Sequence, residues 1–138
     1  MVKCKPIVSP TCETICVGQC DVGHRGRSGY GVIVLQLTPD PMQEHCEILQ
    51  EDASFVDQSG NAYRSETTET LLTGVERGIH DVIAHYDSLG IELGGFAVVV
   101  RKMVVHDIDS TAASFRVAAR NAMAACIVNS DFKQETER

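Results

Sequence analysis

The spacing of apolar residues changes three times along this chain, and each change marks a new kind of element. Thr14, Ile15, Cys16 and Val17, within Glu13 to Gln19, and the aliphatic run from Gly31 to Leu37 read as two strands. Between them, Asp21-Val-Gly-His-Arg-Gly-Arg-Ser-Gly has turn chemistry, and Pro39-Asp40-Pro41 closes the second run, so the pair is expected to form a hairpin. A third strand is expected over Cys46 to Gln50, followed by a polar connection to about Ser65. From about Thr68 the period lengthens: Leu72, Val75, Ile79, Val82 and Ile83 line one face of a helix that ends before Gly90. Gly74 and Gly78 fall inside it, each costing about 1 kcal/mol relative to Ala, which points to close packing against a sheet. Phe96 to Val105 returns to a strand, too apolar to keep one face in water throughout and so central. A second helix is expected from about Ser110, with Phe115, Ala119, Ala122, Met123 and Cys126 on one stripe, Arg116 and Arg120 between stripe positions, and Asp109 or Ser110 as its cap.

The order three strands, helix, strand, helix predicts an α+β fold: a two-layer sandwich with two helices on one face of a mainly antiparallel four-stranded sheet. At 138 residues the chain has the size of one domain, residues 1–138, with a polar and loose tail expected from Asn129 onward and no internal repeat. No stretch approaches the roughly 20 apolar residues of a membrane span, and the N-terminus lacks the pattern of a signal peptide. A cytoplasmic protein without membrane contact is expected, with its six cysteines reduced.

The net charge of -7 argues against a broad basic surface for nucleic acid, but the charge is uneven. Residues 1–39 carry four basic and two acidic residues, net +2, whereas residues 40–70 carry eight acids against Arg64, net -7. A net-negative protein of this kind can still approach RNA with its least negative end.

Five short strings, in order, resemble the fourth domain of translation elongation factor G and its relatives, elongation factor 2 and the ribosomal protection proteins. Lys5-Pro6-Ile7-Val8 with Glu13-Thr14-Ile15 is similar to the family's opening Lys-Pro-x-Val and Glu-Thr-Ile, with one extra residue between them. Gly26-Arg27-Ser28-Gly29-Tyr30-Gly31 resembles Gly-Arg-Gly-Gln-Tyr-Gly before a hydrophobic strand, and Val75-Glu76-Arg77-Gly78-Ile79 resembles Val-Glu-Lys-Gly-Ile. Gly95-Phe96 stands where the family has Gly-Tyr-Pro. His106-Asp107-Ile108-Asp109-Ser110-Thr111 with Phe115-Arg116-Val117-Ala118 follows His-Asp-Val-Asp-Ser-Ser and Phe-Lys-Ile-Ala without a gap. The resemblance covers residues 5 to about 127.

That resemblance implies a left-handed β-α-β crossover, against the general preference for right-handed connections. It also implies a translation-associated accessory module that contacts RNA or the small ribosomal subunit, because in the parent factors this domain reaches the decoding site. His106 aligns with the histidine at the domain tip, where an imidazole can stack on a base or donate to phosphate. Without the Arg-Gly-Gly-Gly context of elongation factor 2 it is expected unmodified. Asp107 beside it is either a second contact or a helix-start residue. Lys5, Arg25, Arg27 and His106 are expected towards one end of the domain, away from the acidic connection between Asp40 and Glu69. Met103-Val104-Val105 replaces a longer approach to the histidine, and the strand pair between Ile15 and Arg25 is expected to be shortened too, so that the tip is cut back.

Two further readings stand beside this one. Cys12, Cys16, Cys20 and His24 recur at strict four-residue spacing, and three thiolates with an imidazole suit zinc. Four residues along a strand, however, separate Cα atoms by about 13 Å, so a metal or thiol module needs Gly18 and Gly23 to fold the segment; otherwise these are buried or idle cysteines. The other reading is a protein-interaction module on the same fold, with the activity supplied by its partner. No G-x-x-x-x-G-K-[ST] phosphate loop occurs and no nucleophile is paired with a base, so neither GTP binding nor an enzyme is expected, and no cofactor beyond that zinc.

Overall fold

Pairing in the computed structural model runs much further along the first hairpin than turn chemistry suggests. The structure describes residues 7–10, 13–24, 27–40, 46–50, 53–63, 68–106, 110–129 and 133–134. Strand β2 spans Thr14–His24 and β3 spans Arg27–Pro39. Their antiparallel register is unbroken from Thr14↔Leu37 to His24↔Arg27, so the glycine-rich stretch expected to be a turn is mostly ladder. Glycine adopts extended backbone readily, and cross-strand hydrogen bonds override its turn preference. Both arms are paired as far as His24 and Arg27.

Strand β7, Phe96–Val105, is central as expected and pairs antiparallel with β3 from Pro39↔Phe96 to Val32↔Val104. The register shifts opposite Val34 and Leu35, where Arg101 is the extra residue on β7. This bulge explains why Arg101 and Lys102 are both exposed while Val100 and Met103 on either side are buried. On its other edge, β7 pairs in parallel with two short strands set end to end: β4, Cys46–Leu49, and β5, Ser54–Asp57. The sheet therefore has five strands in the order β2-β3-β7-β4, with β5 also on β7, and is mixed, which corrects the expected mainly antiparallel four-stranded sheet. Residues 54–57 lie within the expected polar connection; only Phe55 and Val56 are apolar there, too few to show a period.

Helix α1, Thr68–Ser88, lies between β5 and β7 in sequence. It ends where Gly90 takes φ 81°, with Gly90 N–H donating to Asp87 O at 2.9 Å and Ile91 N–H to Tyr86 O at 2.9 Å. A left-handed glycine satisfying the last carbonyls is the expected helix stop. Helix α2, Ala112–Asn129, follows β7. Gly74 and Gly78 do pack closely, but against α2 and not a sheet: a Cβ at Gly74 would lie 2.1 Å from Ala112 O, and one at Gly78 2.3 Å from Arg116 O. Advancing together along both helices, these contacts show that α1 and α2 run parallel.

One core joins the helices to the inner sheet face. Ile33, Leu35 and Leu37 of β3, Val98, Val100, Met103 and Val105 of β7, Val75 and Ile79 of α1, and the expected α2 stripe are all buried in it. A separate three-stranded sheet joins β6, Glu92–Leu93, to β1, Ile7–Ser9, and β1 to β8, Lys133–Gln134. Part of the tail expected to be loose is thus tied down at Ser9↔Lys133 and Val8↔Gln134. No helix among the described residues is long and apolar enough to cross a membrane.

Candidate functional site

The end of the sheet at which the β2–β3 hairpin closes also receives the C-terminal end of β7 and the start of α2. Continuing the register from Val32↔Val104 sets Tyr30 beside His106, and their rings meet edge to face, with centroids 6.3 Å apart and planes at 60°. His106 is half-buried. Its backbone N–H donates to Ser110 Oγ at 2.8 Å, and Ser110 Oγ–H donates in turn to Tyr30 O at 2.7 Å. The serine hydroxyl thereby bridges the residue that follows β7 to the β3 arm of the hairpin, 80 positions away from the serine in sequence.

Ser110 is consequently occupied by this bridge and does not cap α2; Asp109 lies outside the described residues. Thr111 is the cap. Its Oγ1 accepts from Ser114 N–H at 3.1 Å, while Ser114 Oγ accepts from Thr111 N–H at 2.8 Å. This reciprocal pair is a capping box with serine in the place usual for Glu or Gln. Ser114 is buried, and its hydroxyl hydrogen lies within reach of Tyr30 O and Thr111 O, both at 2.9 Å. Tyr30 O thus faces two hydroxyls, so the hairpin, the end of β7 and the first turn of α2 are locked together just behind the His106 ring. The Thr-x-x-Ser spacing is the available sequence signal for this cap; the link to Tyr30 has none, because it is made to a backbone carbonyl.

Of the candidate contacts, Arg27 is the first residue of β3, opposite His24 in the last pair of the hairpin, at the same end as His106. Lys5, Arg25 and Asp107 lie outside the described residues. Of the acidic connection, Glu44, Glu51, Asp52 and Glu66 lie outside the described residues. Asp57, at the end of β5, pairs with Val105, so this one acid reaches the same end as His106 on the opposite edge from the hairpin. The Asp57 carboxylate is engaged locally, accepting from Ser59 N–H and Asn61 N–H at 2.9 Å each, in a turn through Gly60 at φ 88°.

The cysteine series divides. Cys16 and Cys20 are buried on the inner face of β2, paired with Leu35 and Gly31, and the unbroken ladder between them keeps the chain extended at the spacing of about 13 Å. Cys12 lies outside the described residues, and His24 ends the strand. Cys16 Sγ instead accepts from Asn129 Nδ2 at 3.6 Å and neighbours Cys126, whose thiol is pushed well up, first by burial and then by the adjoining Cys16. A thiol raised in this way is protonated and inert at neutral pH. No group of three or more metal-ligating side chains occurs among the described residues.

No protein-family model matches this chain, and no curated protein matches it. Solved structures do match it: a crystal structure of a protein from Thermus thermophilus superposes with a TM-score of 0.69 at 18% identity, covering 95% of this chain. The match takes in only 18% of that protein's length. At this identity the likeness shows a shared α+β fold.

Proposed function

We propose that this chain is a translation-associated accessory module that contacts RNA or the ribosome through the end carrying His106 and the β2–β3 hairpin, and that it neither catalyses a reaction nor binds GTP. The observation that carries the reading is the bracing of His106. An imidazole at the rim of a sheet, with its backbone held through Ser110 to Tyr30 and its ring against the Tyr30 ring, is presented rigidly beside the hairpin end that holds Arg27. Rigid presentation lowers the ordering cost of a contact, and a histidine-tyrosine edge suits an unstacked base. The strings similar to elongation factor G support the same end, since they include Arg27, Tyr30, His106 and Ser110. The passage from β5 through α1 to β7 joins two parallel strands, a connection of the β-α-β kind that the resemblance implies.

Cosedimentation with small ribosomal subunits in salt-washed lysate tests the proposal. Binding is expected for the parent, and Arg25→Ala with Arg27→Ala should weaken it and flatten its dependence on log salt by about one unit for each phosphate no longer engaged. A parent that never sediments with subunits, or a double variant that binds as the parent does, refutes the reading.

A further inference from the structure

Strand β2 and helix α2 meet glycine against alanine, and this close contact continues into a pair of sulfurs. A Cβ added at Gly18 would lie 2.7 Å from the Ala122 Cβ, which puts the two Cα atoms within about 6 Å of each other. Two amides of α2 fix the direction of the contact. Asn121 Nδ2 donates to Gln19 O at 3.1 Å, and Asn129 Nδ2, two turns on, donates to Cys16 Sγ at 3.6 Å. The strand therefore runs backwards as the helix advances. The two-residue step from Gly18 to Cys16, about 7 Å in a strand, is matched by the four-residue step from Ala122 to Cys126, about 6 Å in a helix. Cys16 and Cys126 thus form the next layer of the same contact, and Cys126 Sγ lies 3.9 Å from the carbonyl oxygen of Leu35, the residue paired with Cys16. A disulfide joins Cα atoms about 4.4 to 6.8 Å apart, and the spacing set at Gly18 and Ala122 suits one here. On the other side of Gly18, the step from Ala122 back to Ala118 leaves Cys20 with no cysteine at the matching position of α2.

We propose that Cys16 and Cys126 are a reversible thiol-disulfide pair, free thiols in this structure and closed by hydroperoxides into a staple between the edge strand β2 and the last turn of α2. The two sulfurs have different parts. Cys16 is 7% exposed and carries the Asn129 donor, whereas Cys126 is fully buried, so a peroxide meets Cys16 first. The Cys16 sulfur attacks the O–O bond; an S–O bond forms, the thiol proton leaves on the displaced oxygen as water or alcohol, and Cys16 becomes a sulfenic acid. Cys126, kept protonated by burial and by the adjoining Cys16, then attacks that sulfur. The S–S bond forms as the S–O bond breaks, and the hydroxyl departs with the Cys126 proton as water. Two electrons pass from the sulfur pair to the peroxide, and a dithiol reductant returns them. The burial that makes Cys126 inert towards outside reagents reserves it for the one electrophile that arises beside it.

Non-reducing peptide mapping by mass spectrometry of the folded chain, fully reduced and then treated with hydrogen peroxide, tests this. A linkage between Cys16 and Cys126 is expected, with two thiols lost to titration and both restored by dithiothreitol. The bond closes a loop of roughly 110 residues, so the melting temperature should rise by at least about 5 °C. Cys16→Ser and Cys126→Ser should each abolish the linkage and the rise, and Cys20→Ser should keep both. Should Cys126→Ser fail to fold, the mapping of the parent still decides. Peroxide that leaves both as thiols, takes Cys16 on to sulfinic acid without the linkage, or joins either to another cysteine overturns the proposal. A linkage that forms only once the chain is unfolded in urea overturns it as well.

Discussion

The two faces of the sheet are made from similar residues and differ in what lies against them. On strand β2 the contrast occurs between neighbours. Val17 is 59% exposed, whereas at Gly18 an added Cβ would lie 2.1 Å from Ala118 O and 2.4 Å from Ala122 N of α2. Apolarity therefore does not distinguish the inside of this molecule from the outside. Close approach of backbones does: Gly18 lets α2 meet β2, and Gly74 and Gly78 let α1 meet α2, whereas Ile15, Val17 and Leu49 on the outer face are left exposed.

Truncating the inner face should give the largest effect. Phe115 is fully buried, with its ring 3.3 Å from where a Cβ at Gly31 would lie, so Phe115→Ala should cost about 4 kcal/mol in urea unfolding. Gly18→Ala comes next, at about 3 kcal/mol or more, since the obstruction is α2 backbone and not a side chain that can swing away. Val17→Lys, one residue along, should change stability by less than about 0.5 kcal/mol. Equal melting temperatures for the Gly18 and Val17 variants would break the comparison. A smaller effect is expected at the boundary between the faces, where Thr111→Ala should cost about 1 kcal/mol by uncapping α2, and Thr111→Ser should recover most of it.

The same contrast explains what could be read from the sequence. Phe96–Val105 and the helix from Thr68 are long enough for their periods to show, and both have the expected extents. Strand β5 and the short strands of the second sheet have two to four residues each, and their partners, not their composition, make them strands. The stretch from Asp21 to Gly29 misleads because glycine serves turns and ladders equally. At Gly74 and Gly78 the need for close packing is legible but the partner is not, since the parallel docking of α2 is a long-range fact. At the candidate site, His106 stands out as a residue, but Ser110 serves as a strut and Thr111 as the cap, a division of labour decided by the distance to Tyr30 O.

The smallest effect is expected where α1 and α2 meet in water. Arg116 Nε and Nη2 donate to Asp81 at 2.6 and 2.8 Å, and Arg120 Nη1 lies 3.8 Å from the same carboxylate. The Arg116 hydrogen bonds hold the Asp81 carboxyl below its ordinary range, with the Arg116, Arg120 and His80 charges acting in the same direction against a partial opposing effect of burial. A carboxyl depressed in the folded state stabilises that state above its unfolded pKa, and the contribution disappears as pH falls through the folded pKa. Asp81→Asn should therefore lower the melting temperature slightly at pH 7, and parent and variant should converge as the pH is brought below the carboxylate range. The loss is small because Arg116 is 45% exposed and water screens the pair. Its cause is distinct from the glycine contacts beneath it, where Gly74 and Gly78 set the approach of the helices and should respond to substitution equally at both pH values. A difference between parent and Asp81→Asn that persists undiminished at pH 2 would mean that the carboxylate contributes by packing and not by charge.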